Sequence, residues 1–305
     1  MILIELNKRE YEVKTALSGK ATKYIRIPLS FILDDEIGKE RIAVLSYFLF
    51  RYGLNNIVGF TVPSMVEWCG EKPNNNKGRT NETYLNVIDG LNDRGYLTYL
   101  NEPSKSKYME CEFESEIYEE NCKGSFATLY LDEIEKILKY KKKNVKDTSL
   151  TNTTILLVFA YFRAKIYNRP NKLKPEELNT SGDNNIKVDI ENRKNKNPEA
   201  YEDSFKSIAE DLGISDKTLI RIVDTLEEEL GLIVTDRAYR VRDDDGEYKT
   251  PHTIFANAYK REKGELLATG EKYSRSEIEA KAERLNEKYG NYKINKTKRK
   301  TKKGE

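Results

Sequence analysis

The chain has 305 residues, 38% hydrophobic and 34% charged, with 53 basic against 51 acidic side chains and a formal net charge of +2. This suits a protein with a buried core and room for two domains of about 150 residues each. No apolar run approaches the roughly 18 residues of a membrane span, and the overall charge balance leaves only local clustering to speak for or against nucleic acid.

The first stretch, MILIELNKREYEVKTA, lacks a sustained apolar segment and a small-residue cleavage site, so secretion is not expected and a cytoplasmic location is. Gly19-Lys20 has no glycine five positions upstream, and no GxGxxG occurs anywhere, which excludes the usual phosphate loops. Residues 42–50 (IAVLSYFLF) are apolar nearly all round, as in a buried helix. Residues 61–70 (TVPSMVEWCG) open with a hydroxyl suited to an N-cap and close on a glycine suited to a left-handed C′ position. The polar run 71–77 (EKPNNNK) reads as a loop. Residues 80–97 (TNETYLNVIDGLNDRGYL) follow as a third helix broken at Gly95, and residues 96–100 with 109–113 read as a hairpin.

The same order recurs further on. Residues 156–162 (LLVFAYF) match the first apolar helix, and 204–213 (SFKSIAEDLG) align without gaps on 61–70. Residues 215–233 (SDKTLIRIVDTLEEELGLI) align on 80–97 with one insertion. A strand toward Tyr239–Arg242, an Asp243–Gly246 turn and Thr253–Phe255 complete a second hairpin. Between the repeats, a polar stretch from about Asn168 to Tyr201 reads as an irregular insert. Helix, helix, helix, hairpin is the order of a winged helix-turn-helix. The expected fold class is therefore mainly α with small β-wings (α+β): two tandem winged helix-turn-helix domains plus a C-terminal helix and basic tail. The expected divisions are an N-terminal segment 1–24, a first domain 25–122, a second domain 123–258 carrying insert 168–201, and 259–305.

In the second unit Ala209, Gly213 and Leu219 supply the small residue, the left-handed turn residue and the apolar anchor of a helix-turn-helix. Ser215, Asp216, Lys217, Thr218 and Arg221 would then face outward, with Leu219, Ile222, Val223 and Leu226 inward. Ser215, Lys217, Thr218 and Arg221 are candidate DNA contacts, Arg221 as a bidentate partner for guanine. The matching candidates in the first unit are Lys77, Arg79, Thr80, Asn81, Thr83 and Asn86, with either asparagine suited to adenine. Nine residues separate Gly70 from Thr80, against one between Gly213 and Ser215, so this turn is enlarged. Arg237, Arg240 and Arg242 on the second hairpin are candidate backbone contacts. Residues 276–289 read as a capped helix with an apolar stripe at Ile278, Ala282 and Leu285, fit for a partner surface or loose docking. Lys298, Arg299 and Lys300 centre a basic tail that binds polyanions without sequence preference.

Enzymatic chemistry finds little footing. One histidine, His252, rules out paired histidines within a chain, and three cysteines (Cys69, Cys111, Cys122) without CxxC spacing suggest reduced thiols. Asp243-Asp244-Asp245 before Gly246 reads as turn chemistry rather than a metal cluster. No cofactor, no metal and no membrane are expected.

The opening Ile27-Pro28-Leu29-Ser30, the two repeated units and the segment 207–218 (SIAEDLGISDKT) resemble plasmid replication initiators and the replication organisers of phages of Gram-positive bacteria. The resemblance covers residues 25–258 in architecture and is specific around 204–233. It implies sequence-specific binding of double-stranded DNA at repeated origin sites, monomer and homodimer forms, and recruitment of host replication proteins. The alternatives are a transcriptional regulator built from the same parts and a replisome interaction scaffold.

Overall fold

The computed structural model describes residues 22–52, 56–141, 150–166, 198–240, 252–262, 265–269, 271–289 and 293–294. Strand β1 (Tyr24–Pro28) pairs antiparallel with the distant β5 (Phe126–Tyr130), Tyr24 opposite Tyr130 and Pro28 opposite Phe126. A short α1 (Leu29–Ile32) and a 3₁₀ turn (Asp35–Ile37) lead into α2 (Arg41–Leu49), every residue of which is buried, as its unbroken apolar run demands. The one cation on α2, Arg41, is tolerated inside because its guanidinium donates to the carbonyls of Phe31, Ile32 and Gly38 at 2.5–3.2 Å. Desolvation still pulls its pKa down to about 10.

Two units of like order follow. In the first, β2 (Ile57–Thr61) leads into α3 (Val62–Trp68), then α4 (Thr80–Asp93), β3 (Leu97–Tyr99) and β4 (Tyr108–Phe113), giving the antiparallel sheet order β2-β4-β3. Helix α5 (Ser115–Asn121), β5, α6 (Leu131–Leu138) and α7 (Asn152–Ile166) connect to the second. There β6 (Ala200–Ser204) leads into α8 (Phe205–Asp211) and α9 (Asp216–Asp224), which runs on as a π-helical turn Thr225–Glu229. Strands β7 (Ile233–Arg240) and β8 (His252–Asn257) complete a sheet ordered β11-β7-β8-β6, where β11 is Lys293–Ile294. Strands β9 (Tyr259–Glu262) and β10 (Glu265–Thr269) form a separate pair, and α10 (Glu271–Tyr289) precedes β11.

The caps at the start of α3, α8 and α9 and the glycines that end α3 and α8 form as expected, whereas α10 begins at Glu271, so Ser276, the expected start of a capped helix, lies inside it. Thr61 accepts from the Ser64 amide, Ser204 from Ser207 and Ser215 from Thr218. Gly70 (φ 79°) and Gly213 (φ 62°) end α3 and α8 in the left-handed region, and at Gly70 a Cβ would lie 2.1 Å from the Leu138 carbonyl oxygen.

The expected fold class is corrected. The chain is mixed α/β with several antiparallel sheets, not a mainly helical chain with small wings, and it does not divide into tandem winged helix-turn-helix domains. Strands β2 and β6 open the two units, β1 pairs with β5 in a two-stranded sheet of their own, and one apolar core runs from Ile25 to Tyr259. Helix α7 is the reason the core is shared. All its residues but Lys165 are buried, and it packs on α1, α2, α6 and β5 as well as on β6, β8 and α9. Residues 200 and 201, expected in the polar insert, belong to β6, and the rest of that insert up to Asn197 lies outside the described residues.

Candidate nucleic-acid interface

Helix α9 is amphipathic in the strict sense. Leu219, Ile222, Val223 and Leu226 are fully buried, while Ser215, Asp216, Lys217 and Arg221 are exposed and Thr218 is half-buried. Period 3.6 forces this split, because positions 219, 222, 223 and 226 fall on one face and 217, 220 and 221 on the other. Helix α8 reaches α9 through a tight turn in which the Ile214 amide donates to the Ala209 carbonyl at 3.0 Å. Buried Ala209 permits that close approach. Asp216 occupies the first turn, so a phosphate here would be met by the Lys217 and Arg221 side chains rather than by the helix end. Ile220, 38% exposed between the two cations, was not singled out from the sequence. Its spacing of three from Lys217 was the available signal.

In the first unit Lys77, Arg79, Thr83 and Asn86 are exposed and Thr80 is half-buried. The enlarged turn is tied down by Glu82, whose carboxylate accepts from the Gly78 amide at 2.9 Å and from Lys105 at 3.2 Å. Those two contacts hold its pKa below the ordinary carboxylate value. Asn81 is corrected as a base reader. It is 2% exposed, accepts from the Asn74 amide at 2.9 Å and donates to the Lys105 carbonyl at 3.0 Å, so its amide braces the loop and the β3–β4 connection.

The hairpin candidates divide similarly. Arg237 is half-buried over the Phe205 ring and donates to Asp224 at 2.5 Å with Glu227 3.5 Å away, so its charge is compensated within the protein. The Arg240 backbone pairs with Lys293 at the end of β7, while its side chain, Arg242, the Asp243–Asp245 turn, Lys298, Arg299 and Lys300 lie outside the described residues.

Several other aromatic, thiol and charged groups have partners within the protein or are buried. Tyr47 is buried, and Arg51 stacks over its ring at 3.8 Å and over Trp68 at 5.4 Å. All three cysteines are buried free thiols, and burial pushes Cys111 up to about 12, which makes it a poor nucleophile. His252 pairs with Glu202. Lys139 pairs with Glu135 at 3.2 Å. Among the described residues no group of three or more His, Cys, Asp or Glu side chains is placed to hold a metal, and no helix is long and apolar enough to cross a membrane. An open cleft of about 670 Å³ beside β1 is lined by Thr22, Lys23, Tyr24, Ile25, Leu49, Phe50 and Tyr52, with one cation and no carboxylate.

No protein-family model matches the chain, and no curated protein matches it in sequence.

Proposed function

We propose that the chain binds double-stranded DNA sequence-specifically, without enzymatic activity, to initiate replication of a plasmid or phage. In this reading the exposed faces of α9 and α4 enter the major groove. The observation that carries it is the pairing on α9 of an exposed Lys217–Ile220–Arg221 face with a fully buried opposite face. A core-anchored helix with two cations on its exposed side is suited to base-edge contact, since arginine recognises guanine bidentately and lysine meets phosphate or base. The resemblance of residues 204–233 to replication initiators supports the replication role. Location in the cytoplasm and contacts with host replication proteins belong to the same proposal.

The test is selection of bound duplexes from a random pool, followed by footprinting of the winner. The expected result is two protected major-groove segments, with loss of one when Arg221 becomes alanine. A footprint unaffected by Arg221→Ala, or no enriched sequence, overturns the reading. A plasmid carrying the gene and the selected site, tested for autonomous replication, separates initiator from transcriptional regulator.

A further inference from the structure

The two sheets correspond strand for strand. Across the first, the registers run Ile57–Glu112–Thr98 and then Gly59–Glu110, with Leu100 beside Glu110, its amide donating to the Glu110 carbonyl at 2.9 Å. Across the second they run Ala200–Ala256–Val234 and then Glu202–Ile254–Asp236. In the second sheet this outer face is roofed by α10, whose Ile278, Ala282 and Leu285 pack on Ala200, Ile254, Ala256 and Val234. In the first it is open to solvent. Ile57 is 39% exposed, Leu100 46% and Tyr108 58%.

The open face has a definite chemistry. Tyr108 lies across Gly59, where a Cβ would fall 2.1 Å from the tyrosine hydroxyl, so the ring forms a flat apolar floor. The Tyr108 hydroxyl donates to Glu110 and Thr98 donates to Glu114, which orients the carboxylates beside that floor. No lysine or arginine among the described residues forms an ion pair with Glu110, Glu112 or Glu114. Three negative charges around exposed apolar groups repel a phosphate backbone and attract a cationic protein surface.

We infer that the outer face of the β2-β4-β3 sheet docks a basic amphipathic helix of a partner protein. It would take the position that α10 holds on the sister sheet. Charge complementarity selects this occupant over a second copy of α10, since residues 271–289 carry five basic and five acidic side chains and are formally neutral. The contact is one helix laid on a pleated apolar strip with charged edges, which follows the usual physics of helix recognition. It stands independently of DNA binding.

The probe is a labelled peptide of residues 271–289 carrying Glu277→Lys, Glu279→Lys and Glu283→Lys, which keeps the Ile278/Ala282/Leu285 stripe and has eight basic against two acidic residues. It is titrated against the full chain by fluorescence anisotropy at low and high salt. Expected are saturable binding weakened by salt, at least tenfold loss with Glu110→Gln/Glu112→Gln, and at least tenfold weaker binding of the unaltered peptide. Amide shifts should map to 57–61 and 108–113. Glu112→Lys, scored alongside with an unchanged thermal midpoint, guards against a folding defect. Equal affinity for the carboxylate variants, shifts on β6 and β8, or no binding overturns the inference. So does self-association of the chain that Glu112→Lys abolishes, which would make the occupant a second copy.

Discussion

Asn81 lies in the first turn of α4 and faces inward, whereas Arg221 lies in the last turn of α9 and faces outward. Replacing Arg221 by alanine should weaken the specific duplex by about 1–3 kcal/mol and relax one base position, with thermal stability unchanged. Asn81→Ala should do the reverse, costing about 1–3 kcal/mol of folding stability because it strands the Asn74 amide and the Lys105 carbonyl. Measuring both quantities for both variants separates the roles, and a loss of specific affinity in Asn81→Ala at unchanged stability would restore it as a contact. Glu82 predicts a pH effect. Its native pKa is lowered, so its stabilisation is complete above the ordinary value of 4.5 and is lost as pH falls through the lower native value. The protection of the Gly78 amide, with the exchange rate corrected for its intrinsic pH dependence, should fall over that acid range in the parent and show no such step in Glu82→Gln.

The helix-ending glycines are not equivalent at the scale of elements. Gly213→Ala meets nothing closer than 3.9 Å, so its cost is the left-handed backbone alone, about 1–2 kcal/mol. Gly70→Ala adds a collision with the backbone of Leu138 and should cost clearly more in urea denaturation. Ser215→Ala should cost about 1 kcal/mol through loss of the cap on α9. These caps and turns were legible because a hydroxyl, a glycine and apolar period 3.6 are local signals. The strands that open each unit were not. The sequence IVGFT has glycine at its centre, AYEDS is mostly polar, and both become strands only by pairing with β4 and β8, about fifty residues downstream. The site shows the same division. The outward face of α9 follows from periodicity, whereas the inward turn of Asn81 depends on a loop seven residues earlier and a carbonyl 24 residues later.

The units of the whole molecule are joined through buried charge. Arg163 of α7 pairs with Glu133 of α6, Tyr259 of β9 donates to that carboxylate at 2.6 Å, and Arg261 donates to Asp132 at 2.6 Å. Arg163→Met leaves the Glu133 carboxylate buried without its cation and should cost about 3–5 kcal/mol, whereas Glu133→Gln/Arg163→Met should cost less. With a core continuous from Ile25 to Tyr259, urea should unfold the chain in one transition by fluorescence and circular dichroism. Two separated transitions would show that the units fold apart. Removing residues 292–305 should weaken all DNA about equally and flatten the salt dependence, leaving sequence preference intact.

Helix α7, enclosed by both halves, also sets a metric for any duplex the protein grips. Because α4 and α9 rest on one continuous apolar core, the nucleic acid must supply the matching interval. Inserting about five base pairs between the two contacted stretches would rotate one to the far side of the rod and abolish simultaneous engagement. A full turn of about ten would restore the angle but not the reach.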